Sequence, residues 1–343
     1  TGPTPVAAAT PLPATPATPA RPSPTGTPTG AARATKLTPD GCCPTPQWLA
    51  DGSGIFFFGT GGPDNSQRGT WAVPRAGGAP RLLSPHYGAF SPDRTLVAYP
   101  DGPFTRIARL DGTAVGAVAT GGARVHFGPA NGRVAWLTPV PGMPQAHPAL
   151  DPPARVTVAN VHGGDVRTLP PVVRTDTLQW FPDGRRVLVS GRDAAGERPG
   201  LLVLDSETGE LARLADGAFL ENVLIAPDGR AIVYTATLQP DPAANGVWLL
   251  DLDGGGRRRL GFSGGYRWAP DGLALLYVPA PAGGPTDELW RCRLADGATA
   301  PLVRAAEARF AIAQDEWELA PDGRAIVYRS AADGAIWTLH FRP

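Results

Sequence analysis

Seven times along the chain the same alternation recurs. A large apolar residue closes a short run, a tight polar turn follows, and a run of β-branched and aromatic residues begins. The clearest copies are WFPDGRRVLVSG from Trp180, IAPDGRAIVYTA from Ile225, WAPDGLALLYVP from Trp268 and LAPDGRAIVYRS from Leu319. Weaker copies are WLADGSGIFFFG from Trp48, FSPDRTLVAYPD from Phe90 and FGPANGRVAWLT from Phe127. The turn positions Asp51, Asp93, Asn131, Asp183, Asp228, Asp271 and Asp322 lie 42, 38, 52, 45, 43 and 51 residues apart, the length of a four-stranded propeller blade. In the turn, Pro fixes φ, Asp bonds nearby backbone and Gly accepts positive φ. The run after it, AIVYTA for example, has the composition of a strand. A third strand such as GVWLLDLD or GLLVLDSE, a Gly-containing turn and a fourth strand ending near Leu, as in GELARL or GGRRRL, complete the unit.

The ends of the repeat fit together. The last unit stops after its third strand, whereas Arg33 to Thr38, RATKLT, resembles a fourth strand and precedes the first unit. This segment is predicted to pair with Ile336 to Phe341 and close a ring, leaving few exposed edges. The predicted fold class is therefore all-β: a seven-bladed β-propeller of four-stranded antiparallel blades, residues 33–343, closed by an N-terminal strand. With 43 Gly, 40 Pro and only 18% charged residues, long helices are excluded, because Gly costs about 1 and Pro about 3 kcal/mol in a helix interior. Residues 1–32 carry almost no large apolar side chains and read as a disordered Pro/Thr/Ala-rich linker. The chain starts at Thr1 without Met. The expectation is a processed secretory segment upstream and an extracytoplasmic location, secreted or lipid-anchored, with any lipidated Cys outside this sequence. No run is long and apolar enough to span a bilayer.

The repeated W/F-x-P-D-G, the hydrophobic run, the third strand and the terminal Leu resemble the repeat of TolB-like propellers, which also form the non-catalytic propeller of prolyl oligopeptidase family enzymes. The resemblance covers residues 34 to 343. TolB itself carries six blades and an additional N-terminal domain that this sequence lacks. The resemblance implies recognition of a protein, peptide or glycan more often than catalysis.

Net charge is +0 and the pI is near 6.9, so no global basic field draws nucleic acid or an anionic membrane. Arg257, Arg258 and Arg259 form the one short basic run and read as a solvated outer strand. The expected partner is a protein or a glycan, met by a monomer, with no nucleic acid and no cofactor. Three cysteines imply no disulfide framework. Cys42 and Cys43 are either a vicinal disulfide or two thiols in a turn, and Cys292 reads as a small buried residue.

Three places offer candidate chemistry. Gly261-Phe262-Ser263-Gly264-Gly265 fits G-x-S-x-G, but that elbow needs a strand before the Ser and a helix after it, and here propeller strands flank it. His86, His126 and His147 fall in units two and three, with His86 and His147 expected on one face. Some TolB-like propellers that degrade acidic polysaccharide bind a metal through such histidines. That resemblance supplies the alternative function, a metal-dependent polysaccharide lyase or hydrolase, against the plain reading of partly buried histidines. The third place is the channel mouth. First strands line the axis, and their polar ends offer Gln47, Arg124, His126, Gln179, Glu221, Arg267 and Glu316 as ligand-binding residues. Trp48, Trp180, Trp268 and Trp317 are expected to pack between blades. The long loops at 59–69, 140–153 and 238–245 are expected on the binding face, since a rigid scaffold concentrates binding on its loops.

Overall fold

The computed structural model describes residues 32–61, 67–140, 154–193, 199–217, 219–254, 256–280 and 287–342. The linker expected over 1–32 therefore lies outside the described residues except at its last position. Each repeat unit folds into one antiparallel blade, giving a seven-bladed propeller in seven units as the sequence predicts. Among the described residues no helix is long and apolar enough to cross a membrane.

Five blades are separate four-stranded sheets, while blades three and four share one seven-stranded sheet. The joint is a single strand, Arg167–Trp180. It first pairs with Ala154–Asn160 as the outer strand of blade three, then, across a register shift between Val173 and Thr177, with Arg186–Asp193 as the inner strand of blade four. The sequence conceals this join. RTLPPVVRTDTLQW carries Pro170, Pro171 and Asp176, residue types that favour turns, yet the strand runs on through them.

The ring closes through the predicted strand pairing. Arg33–Lys36 pairs antiparallel with the C-terminal strand, Arg33 opposite His340 and Lys36 opposite Trp337. The Leu37 N–H donates to the Ile336 carbonyl at 2.8 Å, and the Ile336 N–H donates to Thr38 Oγ1 at 2.9 Å. Lys36 Nζ holds Asp333 at 2.7 Å and also meets Asp40.

The turns show why the repeat is written as it is. The carboxylates of Asp51, Asp93, Asp183, Asp228, Asp271 and Asp322 each accept the N–H two residues on, at 2.9–3.0 Å. The next residue needs positive φ, +73° at Gly229, and a Cβ there would come within 3.2 Å of the Pro182 ring in the preceding blade's turn. Two units depart from the rule. Arg94 takes the Gly place in blade two at φ 62°. Asn131 does so in blade three at φ 60°, so it replaces the turn Gly rather than the turn Asp as the spacing count assumed. Asn tolerates this conformation better than most residues, and Arg does not share that advantage.

Packing runs from blade to blade. On the second strand of blade four, Val187 and Val189 face blade three and pack with Val156, Val158 and Leu178. Leu188, on the opposite face by the period of two, packs toward blade five with Ile232 and Tyr234. Burial on both faces explains why these strands are apolar throughout rather than alternating. Cys292 is buried and free, its thiol pushed up by burial, and Cys42 is bonded to Cys43. The arginine strand Gly256–Arg259 is exposed along its length.

Candidate functional site

The residue just before each turn anchor is Gln47, Ala89, His126, Gln179, Leu224, Arg267 or Glu318. A tryptophan relay fixes several of these positions. The Trp180 indole N–H donates to the His126 carbonyl at 2.9 Å, that of Trp268 to Leu224 at 3.2 Å, and that of Trp48 to Glu318 at 3.2 Å. Each anchor is thus bonded to the inner strand of the preceding blade, which is the inter-blade packing expected for these residues. Trp317 lies two residues before the blade-seven anchor Leu319; it too packs between blades, buried with Ala274 and Leu276 of blade six and Ile326 and Tyr328 of blade seven, and it donates to Asp315 Oδ1 at 2.6 Å.

Four of the seven sequence-chosen residues come together. Gln47, Arg124, His126 and Gln179 line a channel cavity of about 520 Å³ with Arg94 and the apolar walls of Phe58, Phe90 and Trp180. A second cavity of about 340 Å³ shares Phe58 and Arg124 and adds Tyr87. Arg124 is exposed and has no hydrogen-bond or ion-pair partner among the described residues. Phe58 and Tyr87 stand 5.7 Å apart beside it, and the Tyr87 hydroxyl is tied to the Gly59 carbonyl at 3.0 Å. Burial, followed by the Arg124 charge, lowers His126 to about 4, so it is a neutral imidazole near pH 7. Gln179 is less free, because its amide donates to the Val223 carbonyl at 2.5 Å.

The other three do not join this cavity. Glu221 lines a separate cleft between blades four and five. Arg267 is already used: Nε donates to Trp317 O at 3.1 Å, Nη1 to Tyr266 O at 2.8 Å and to the Asp315 carboxylate at 3.2 Å, and Nη2 to Asp315 O at 2.9 Å. Glu316 faces Arg329 at 3.6 Å and the Thr45 N–H at 3.4 Å. Glu318, directly before the anchor Leu319, and not Glu316, holds in blade seven the place of Gln47, His126 and Gln179. Glu318 accepts the Trp48 N–H at 2.5 Å and pairs with Arg94 at 3.6 Å, a charged link from blade seven to blade two past blade one. Burial raises the Glu318 carboxyl, opposed by Arg94, the Trp48 N–H and Arg267. Arg94 was missed from the sequence, although its signal was there: it is the one long cationic side chain in a turn place the repeat reserves for Gly.

The histidine set does not form a metal centre among the described residues. His86 stacks on Tyr99 with centroids 3.6 Å apart, His126 is in the channel, and His147 lies outside the described residues. No group of three His, Cys, Asp or Glu able to hold a metal occurs among the described residues. Ser263 lies between Gly256–Arg259 and the strand Gly264–Trp268, and its carbonyl accepts the Ala280 N–H at 3.0 Å. No helix follows it, so the elbow geometry is absent. Of the three loops expected on the binding face, two fall partly outside the described residues. The third, at 238–245, is held by Asp241 accepting the Ala243 N–H and Asn245 accepting the Gln239 N–H, both at 2.9 Å.

Comparison with known proteins places the fold. The chain is similar to an oligogalacturonate lyase in complex with manganese, with 15% identity over 91% of this chain and 93% of that one and a TM-score of 0.67. It is similar to the oligogalacturonate lyase of Vibrio parahaemolyticus, with 12% identity over 90% and 93% and a TM-score of 0.66. A putative TolB from Agrobacterium tumefaciens matches with 16% identity over 77% and 94% and a TM-score of 0.45. No protein-family model and no curated protein sequence matches the chain. At these identities the likeness is one of fold, and the class defined is a seven-bladed β-propeller built on a Pro-Asp-Gly repeat.

Proposed function

We propose that this propeller is an extracytoplasmic binding module without turnover, monomeric, that takes a carboxylate-bearing segment of a protein or glycan partner into its channel mouth. The observation that carries the reading is Arg124, a cation without a partner among the described residues, at the shared rim of two cavities and flanked by Phe58 and Tyr87. Arg recognises carboxylates through planar paired hydrogen bonds, and neutral His126 and Gln47 beside it supply further polar contacts without a competing anion. The alternative, a metal-dependent lyase or hydrolase, takes its appeal from the fold shared with oligogalacturonate lyases. The described residues do not supply its metal ligands.

The test titrates a labelled hexaglutamate peptide and an oligogalacturonate against the full chain and against Arg124→Ala, with manganese added in a parallel series. Binding of either probe that weakens about tenfold or more in the variant, with oligogalacturonate recovered intact, supports the reading. Manganese-dependent formation of unsaturated product would replace it with the lyase.

A further inference from the structure

We infer that the cleft between blades four and five is a second binding site, separate from the channel mouth, for a neutral sugar residue. The cleft encloses about 520 Å³, within the roughly 300–1,000 Å³ of small-molecule sites. It is lined by Thr177, Ser190, Phe219, Leu220, Glu221 and Asn222 among others, and it shares no residue with the channel cavity.

The observation that points to a ligand is Ser190. It continues the face of Leu188, which is fully buried between the two blades, and is itself only 5% exposed. Its hydroxyl is buried with no hydrogen-bond partner, where an apolar side chain would simply extend the core. Buried polar groups are normally satisfied, so a hydroxyl kept at the cleft wall is suited to a partner that arrives from outside.

The remaining wall specifies the chemistry. Glu221 and Asn222 are exposed, and their side chains have no partner among the described residues. Asn222 is held in place from blade six, where the Tyr266 hydroxyl donates to its carbonyl at 2.8 Å. A carboxylate and a carboxamide side by side can accept from and donate to adjacent hydroxyls, which a sugar ring presents in pairs. Phe219, 38% exposed, offers an apolar face for the C–H side of such a ring. Arg192, also on the wall, already has a partner, which leaves Glu221 as the charge on the wall without a partner among the described residues and disfavours an anionic ligand.

The experiment titrates the full chain with the methyl glycosides of glucose, galactose and mannose, read by saturation-transfer NMR and calorimetry. Glu221→Gln, Phe219→Ala and Ser190→Ala are compared with Arg124→Ala. Binding of at least one glycoside is expected, weakened about tenfold in Glu221→Gln, weakened in Phe219→Ala and unchanged in Arg124→Ala. Ser190→Ala is expected to weaken binding while raising the melting temperature, because the orphaned hydroxyl is gone; a residue of purely structural value would not move both readings this way. Failure of all three glycosides to bind overturns the inference, as does binding that survives both Glu221→Gln and Phe219→Ala. Because the channel probes and the glycosides are titrated separately, either site can fail alone.

Discussion

The two sides of the central channel are built from the same repeat and end differently. On the side of blades one to four, short inner strands such as Gln47–Trp48 and His126–Phe127 leave a cavity in which Arg124 has no partner among the described residues. On the side of blades six and seven, Arg267 spends its guanidinium on Tyr266, Asp315 and Trp317, and stacks over the Trp317 ring at 4.6 Å. The carboxylate of Asp315 occupies the space a Cβ on residue 265 would need, within 1.9 Å, so Gly265 leaves room for that carboxylate in its present position. Gln314 and Asp315 both adopt positive φ to form this contact, a cost the surrounding bonds offset. Two arginines that look alike in sequence therefore do opposite things: one completes the wall and the other is offered to solvent.

Removing Arg33 to Thr38 breaks the ring that both sides depend on. The melting temperature is expected to fall by about 10 °C or more, or cooperative unfolding to be lost; calorimetry that reproduces the full chain would refute closure by this strand. Next in size, Arg267→Ala strands several carbonyls and leaves the Asp315 carboxylate with the Trp317 indole N–H alone among the described residues. A loss of about 2 kcal/mol is expected in urea denaturation, with acidic-probe binding retained in the folded fraction.

His126 gives the open side a pH signature. Its folded value, about 4, lies below the ordinary 6.5, so the folded state holds the imidazole neutral. Stability from this group is complete above pH 6.5 and is lost as the pH falls through about 4. His126→Gln should flatten the stability curve over that window relative to the parent, by about 1 kcal/mol after allowing for the partial exposure of the ring. Parallel curves for the two proteins would contradict the burial of His126. The smallest effect on stability belongs to Arg124→Ala, within about 0.5 kcal/mol, because nothing among the described residues depends on that side chain. A large loss would mean that Arg124, like Arg267, is part of the wall.

The blades and the closure were legible in the sequence because Pro-Asp-Gly has one geometric use here and recurs often enough to be counted. The join through Arg167–Trp180 was not, because its Pro170, Pro171 and Asp176 read as turn residues. At the channel, polar strand ends that bond one another and those left free have the same composition. Gln179 and Arg267 therefore read like Gln47 and Arg124, and their difference depends on which carbonyls lie within reach. Glu318 was legible as the residue before the anchor Leu319, whereas nothing in IAQDEWEL marks that Glu316 is taken up by Arg329. Arg94 was legible as a departure from the repeat's own rule, a more informative signal than the polarity of any single strand end.

The most direct test of the open side as the binding side is hydrogen–deuterium exchange of the full chain with and without the hexaglutamate peptide and, separately, the oligogalacturonate. Protection over residues 86–90, 124–128 and 177–180, with none over 264–268 and 312–319, is the expected result. Protection confined to the blade six and seven segments, or no change anywhere at saturating probe, would contradict it.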